Sequence, residues 1–343
     1  MAGSGEFGGM NRRVKFWIGI AVSVLCIVIV LWLVDLGELV ETIRTADLRV
    51  VLLIAAAQVG FMLVRAVRWQ VMLSVKSSRV RYWPLLHAQN IGYLVTNLFP
   101  FRLGELARSY IAGTDPENDI SLTQALSSVV LERMLDVLVI VLLFAAAIPF
   151  APSLPDGMQA AGTLLGIVGA SGFVVILVAA IYRDRTLGLV RRLLVRLRRL
   201  DSTIWLGRAE ALLDGFGALT RWQLLLPVLG LSALAWGIIV LAYYGGLRGF
   251  WPDAPLAAAL FALCAAGFGI SAPSSPGFVG VFHGAIVLGL SVFAVSTEQA
   301  LGFALVYHAV MYLAVLVLGL IALSQSSQSL GAIVTAVRDL RRT

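Results

Sequence analysis

The stretch "FPFRLGELARSYIAG", residues 99–113, interrupts an apolar run with a proline, a glycine and three charged side chains. Pro100 lacks a backbone N–H and biases Phe99 away from helical geometry, so a helix arriving here has to stop. Arg102, Glu105 and Arg108 then recur every three residues, which puts them along one side of a short new helix. Asn90 and Asn97 lie just upstream, where their amides can satisfy backbone groups freed at the break. A second stretch repeats the pattern: "SSPGFVGVFHGA", residues 274–285, again has a proline four residues before a glycine. Here Ser271, Ser274 and Ser275 precede Pro276, with Gly277 and Gly280 after it. Small residues let backbone approach a ligand, and half-helix N-termini favour anions; Ser-Ser-Pro-Gly is equally a plain turn signal.

The surroundings of both breaks are apolar. The chain is 59% hydrophobic and only 13% charged, with mean hydropathy +0.92. A soluble domain carries about 25% charged residues, so the class is an all-α polytopic membrane protein. Cys26 and Cys264 fall inside apolar runs and read as packing residues. Nothing among three scattered histidines has metal-ligand spacing, no glycine-rich phosphate loop is present, and no cofactor or metal is expected.

Residues 1–10 read as an expression scar, and residues 11–343 as a single transmembrane domain. Six segments are apolar and long enough to cross about 30 Å of hydrocarbon: about 16–34, 48–66, 121–149, 158–181, 223–247 and 298–323. The stretches at about 84–112 and 256–293 are interrupted by Pro and Gly. Basic residues cluster before the first segment (Arg12, Arg13, Lys15), over 65–81, over 182–222 and in the tail, while acids dominate 35–49. The positive-inside bias then puts both termini, 65–81 and 182–222 in the cytoplasm. With those ends fixed, each interrupted stretch crosses twice or not at all. Re-entrant helical pairs satisfy both constraints; 256–293 also has room for two full spans.

The likeness between the breaks continues downstream. "QALSSVVLERMLDVL" starts at Gln124 and "QALGFALVYHAVMYL" at Gln299, which sets Arg133 against His308. The steps from Pro100 to Gln124 and from Pro276 to Gln299 are 24 and 23 residues. This is the pattern of an inverted-topology repeat, with halves 48–149 and 223–323. Glu132, Arg133 and Asp136 lie inside the third of these apolar segments, 121–149. Glu132 and Asp136 share a face at four-residue spacing. Ions at membrane depth face a bundle interior or a wet cavity; a structural ion knot is the alternative reading. In 182–222, "RRLLVRLRRL" spaces Arg191, Arg192, Arg196, Arg198 and Arg199 among leucines. That predicts an amphipathic helix on an anionic cytoplasmic leaflet, or a bare topological anchor.

"PFRLGELARSYIAG" followed by "SSVVLERMLDVLVIVLL" resembles the first signature of the lysylphosphatidylglycerol synthase transmembrane-domain family, the flippase-like domain family. "SAPSSPGFVGVFHGAIVLGL" followed by "EQALGFALVYHAVMYL" is similar to its second, with His283 where the family commonly has Glu and His308 where it has Arg. The resemblance spans about residues 14–325. It implies a stand-alone prokaryotic plasma-membrane domain that handles lipid, without the aminoacyl-transferase domain of the family's large members. On this reading the two breaks meet near the midplane and enclose one polar cavity. Arg102, Arg108 and Arg133 hold the phosphate of a phospholipid or polyprenyl-linked lipid. Glu105, Glu132 and Asp136 orient those arginines. Ser274, Ser275, Gly277, His283 and His308 line the other side, and Asn97, Pro100, Gly104, Pro276 and Gly280 form the breaks and hinges. A lipid-modifying membrane enzyme and a scaffold or regulatory membrane partner are the competing classes, and a homodimer is a candidate assembly for the protein; Glu132 and Asp136 would be the enzyme's acid–base pair.

Overall fold

The computed structural model describes residues 47–75, 77–99, 103–152, 156–196, 222–271, 276–326 and 329–340, with a few isolated positions besides. The described residues are helical, without strands. The expected first span, 16–34, lies outside them.

The long helix α1 (Leu48–Leu73) starts at Asp47, whose carboxylate accepts the Arg49 N–H at 2.8 Å. Helix α2 (Tyr82–Leu98) stops at Phe99, which is extended (φ −121°, ψ 144°) as the following proline requires. Helix α3 (Leu103–Thr114) runs on to the loop before α4 (Leu122–Ala147), capped by the Ser121 hydroxyl. A 3-10 turn over Ile148–Phe150 precedes α5 (Asp156–Ile181), and α6 (Arg183–Arg196) leaves α5 at a bend of 99°. The second half repeats this order. A long helix α7 (Trp222–Arg248) is followed by α8 (Leu256–Ser271), a 3-10 turn at Pro276–Phe278, α9 (Val281–Leu290) and a long α10 (Thr297–Ser324), whose N-terminus carries a Ser296–Gln299 capping box. Helix α11 (Leu330–Leu340) closes the described chain and packs on α3.

Six full spans were expected, and the helices divide differently. Three described helices are long and apolar enough to cross a membrane: α1, α7 from Gln223, and α10; a fourth is added if the bent α5–α6 pair counts as one. Helix α4 is 26 residues long but carries Glu132, Arg133 and Asp136. At 1.5 Å per residue, α2 is roughly 26 Å long and α3 roughly 18 Å, short of the hydrocarbon thickness singly. The same holds for α8 and α9.

Glycines fold each short pair onto itself. A Cβ on Gly92 would come within 2.7 Å of the Gly104 carbonyl, and one on Gly104 would overlap the Gly92 carbonyl. Gly104 therefore belongs to the crossing of α2 with α3; it is inside a helix rather than in the break where the sequence suggested a hinge. In α8–α9, Gly269 faces Ala285 and Gly289 faces Ala265, each leaving a prospective Cβ less than 3 Å from the opposing methyl. The second break itself needs glycine, since Gly277 (φ 74°) and Gly280 (φ 84°) are left-handed.

Among the described residues two large apolar cores result, with smaller clusters beside them. One gathers Trp236, Tyr243, Phe261, Phe282 and Phe303 around α7–α10. The other gathers Trp69, Leu85, Ile91, Leu103 and Ile111 around α1–α3, with Ile333 and Val337 of α11. Leucines and valines such as Leu52, Leu241 and Leu313 point outward and stay exposed, as a lipid-facing surface requires. Helix α2 also packs along α10 and against the Pro276–Phe278 turn. A Cβ at Gly277 would stand 3.9 Å from the Asn97 carbonyl oxygen, so the end of α2 meets the second break.

Candidate functional site

A cluster of five ionised side chains is buried between α1, α3 and α4. Arg65 and Arg68 project from α1 one helical turn apart; Glu132 and Asp136 project from α4 with the same logic. Arg68 lies 2.9 Å from Asp136 and 3.3 Å from Glu132. Arg65 contacts Glu132 and lies 3.0 Å from Asp136. Arg108 of α3 donates to the other Glu132 oxygen at 3.0 Å. None of these five residues exceeds 4% exposure. Neutral groups complete the shell: the Ser232 hydroxyl accepts from Arg68 at 3.0 Å, and the Trp236 indole N–H donates to Asp136 at 3.3 Å. Aromatic faces receive the guanidinium planes, with Arg108 over Trp69 at 5.0 Å and Arg65 over Phe61 at 5.1 Å. Among the described residues the arrangement holds three guanidiniums against two carboxylates, an excess of one positive charge in a buried cluster.

Arg133 stands apart from this cluster. It pairs with Glu105 of α3 at 2.6 Å, and the side chains are 38% and 27% exposed. Of the arginines that Glu105, Glu132 and Asp136 were expected to orient, Arg133 pairs with Glu105 and not with Glu132 or Asp136. One position along a helix is a turn of about 100°, so Arg133 faces α3 and the outside while its neighbours face α1. The pair separates two spaces. Outside it is a groove of about 480 Å³ between α4 and α5. Behind it is a cavity of about 10 Å³ lined by Gln89, Thr96 and Arg108, among others.

In the second half, His283 and His308 come together at 3.1 Å, next to the Pro276–Phe278 turn. The Gly280 N–H donates to His283 Nδ1 at 3.2 Å. With Nδ1 accepting, neutral His283 carries its proton on Nε2 and donates it to His308 Nδ1, which places the His308 proton on Nε2. Arg108 and Arg133 are 25 residues apart, as are His283 and His308. The first of these pairs is of guanidiniums, the second a hydrogen-bonded pair of imidazoles.

Of the expected site residues, Arg108, Glu132 and Asp136 lie in the buried cluster, Glu105 and Arg133 pair with each other beside it, and Gly277, Gly280, His283 and His308 form a second group. Pro276 starts the 3-10 turn, and Asn97 ends α2 beside it. Arg102, Pro100, Ser274 and Ser275 lie outside the described residues, as do Arg198, Arg199 and the Arg196 side chain. Arg191 and Arg192 are exposed on α6. The sequence reading missed Arg65 and Arg68, which it assigned to a basic cytoplasmic connection over 65–81. Helix α1 instead continues to Leu73 and buries them. The available signal was the unbroken run "FMLVRAVRWQVML", which contains no helix breaker and spaces the two arginines at i, i+3.

A helical membrane protein with two broken helix pairs and a buried arginine–carboxylate cluster is the class these features define. The signature of the lysylphosphatidylglycerol synthase TM region matches residues 16–319, and the chain belongs to that family. It is 26% identical over 165 residues to the UPF0104 membrane protein PH1989 of Pyrococcus horikoshii, a match covering 48% of each chain. The chain thus aligns with about half the length of that relative. No solved structure matches it.

Proposed function

We propose that this protein is a flippase-type lipid transporter that carries an anionic, phosphate-bearing lipid, either a phospholipid or a polyprenyl-linked lipid, across a prokaryotic plasma membrane. The observation that carries the reading is the unbalanced cluster of Arg65, Arg68 and Arg108 against Glu132 and Asp136. Removing charges from water costs several kcal/mol per ion, so an interior normally matches them. A surplus guanidinium is poised for an anion, and its planar fork suits two phosphate oxygens. The carboxylates hold the arginines in place while no headgroup is bound.

The repeated order of long helix, broken pair and long helix supports an inverted-repeat mechanism. The halves rock against each other, and the α2–α3 and α8–α9 pairs act as re-entrant elements that expose the cluster to each side in turn. Both termini are then cytoplasmic, and Arg191 and Arg192 on α6 rest against anionic headgroups. A lipid-modifying enzyme is disfavoured by the same geometry, because Glu132 and Asp136 are each held by arginines and neither is free to shuttle a proton. Whether the protein works as a homodimer does not alter this reading.

Purified protein in liposomes containing headgroup-labelled phosphatidylglycerol or polyprenyl phosphate tests it. The expected outcome is headgroup movement between leaflets with the lipid chemically unchanged. A new lipid product would favour the enzyme; no movement of either probe would overturn the transporter.

A further inference from the structure

The α4–α5 groove narrows in one direction. A Cβ on Gly166 would meet the Ala145 methyl at 2.6 Å, and one on Gly169 would meet Val141 at 2.7 Å. Three residues further on, a Cβ on Gly172 would find nothing within 4 Å. The two helices therefore touch near Ala145 and part toward Met134. The space that opens is about 480 Å³, within the range of pockets that hold small ligands. Its walls are aliphatic, including Val130, Met134, Val137, Leu138 and Val168. Val137 and Val168 are 56% and 58% exposed, so the groove is open sideways to the bilayer.

The wide end is different. Glu105 and Arg133 border it, and Arg133 Nε is buried without a hydrogen-bond partner. A water-soluble anion would match that end and leave the valines uncovered. A bare hydrocarbon would match the valines and leave Arg133 Nε, a guanidinium nitrogen buried without an acceptor beside the Glu105 ion pair, unserved. An amphiphile with one negatively charged head and a long chain matches both. We infer that the α4–α5 groove is a binding site for the hydrocarbon chain of an anionic lipid, with its headgroup at the Arg133–Glu105 pair. This rests on the lipid-transport reading for its purpose, since the pair stands between the groove and the inner polar residues Gln89, Thr96 and Arg108. The groove would then be where the lipid enters from the bilayer.

The test is photocrosslinking of the intact protein in liposomes with phosphatidylglycerol that bears a diazirine near the end of one chain, with adducts mapped by mass spectrometry. Adducts should concentrate on Val137, Leu138 and Val168, at least fivefold above those on the exposed α10 residues Leu313 and Val317. Gly172→Leu fills the groove from a position with free space, and leucine is the better helix former. It should remove the groove adducts at least fivefold and leave those on α10 unchanged, which also reports that the variant is folded. Equal labelling of groove and α10 in the unaltered protein would overturn the inference, as would groove adducts that survive Gly172→Leu. Both readouts are independent of transport. Groove labelling without lipid movement would leave the site standing and remove the transporter; lipid movement with uniform labelling would do the reverse.

Discussion

Arg108 of α3 and Glu132 of α4 form an ion pair of 3.0 Å in which neither side chain is more than 4% exposed. The pair ties the short helix after the first break to the helix that follows it. Glu132 also contacts Arg65 and Arg68, so one carboxylate holds three guanidiniums. Glu132→Gln keeps the shape and removes the charge that compensates them. Breaking a buried ion pair from one side costs about 3–5 kcal/mol. We expect a large fall in detergent melting temperature and in the yield of monodisperse protein. Unchanged melting would show that the cluster is not structural.

The Arg133–Glu105 pair behaves differently because it is partly exposed. Pairs of that kind contribute roughly 0–1 kcal/mol. Arg133→Ala and Glu105→Gln should therefore insert and melt close to the parent, while lipid movement in liposomes falls at least tenfold. Arg133→Lys should recover only part of it, since an ammonium keeps the charge but not the two-pronged geometry. Wild-type transport by a stable Arg133→Ala protein would remove this pair from the mechanism.

Gly104→Ala tests the crossing of α2 with α3. The added methyl overlaps the Gly92 carbonyl, and backbone atoms cannot move aside as a side-chain tip can. The hairpin must open, breaking the Arg108–Glu132 contact with it. We expect loss of folded protein, read by size-exclusion profile and melting. Gly172→Ala, at a site with open space, is the control and should be neutral or slightly stabilising.

The imidazole relay makes a prediction by non-additivity. His308→Phe leaves the His283 Nε2–H without its acceptor, at a cost of about 1–3 kcal/mol. His283→Phe leaves His308 Nδ1 and the Gly280 N–H unpaired. Because the two changes remove one shared hydrogen bond, the double variant should lose less stability than the sum of the singles in chemical denaturation. Strict additivity would mean that the pair is not bonded as described.

Composition alone determined the membrane class, because 13% charge cannot cover a water-facing surface of this size. Sequence also located both breaks, since the effects of Pro100, Pro276, Gly277 and Gly280 are local: a missing donor, a fixed φ, a tolerated positive φ. It singled out Glu105, Arg108, Glu132, Arg133 and Asp136 as candidates, because ions inside apolar runs are visible wherever they occur. Their pairing was decided by the tertiary structure. Arg65 and Arg68 looked like the start of a cytoplasmic connection, since a charge beside an apolar segment reads the same whether it faces solvent or a partner. Only the packing of α1 on α4, some 65 residues away in the chain, supplies Glu132 and Asp136 as the carboxylates that let those arginines be buried. Likewise Arg133 and Glu132 are adjacent in sequence, yet they point to different neighbours, because a helix turns each successive side chain by about 100° and what stands at that angle is a property of the fold.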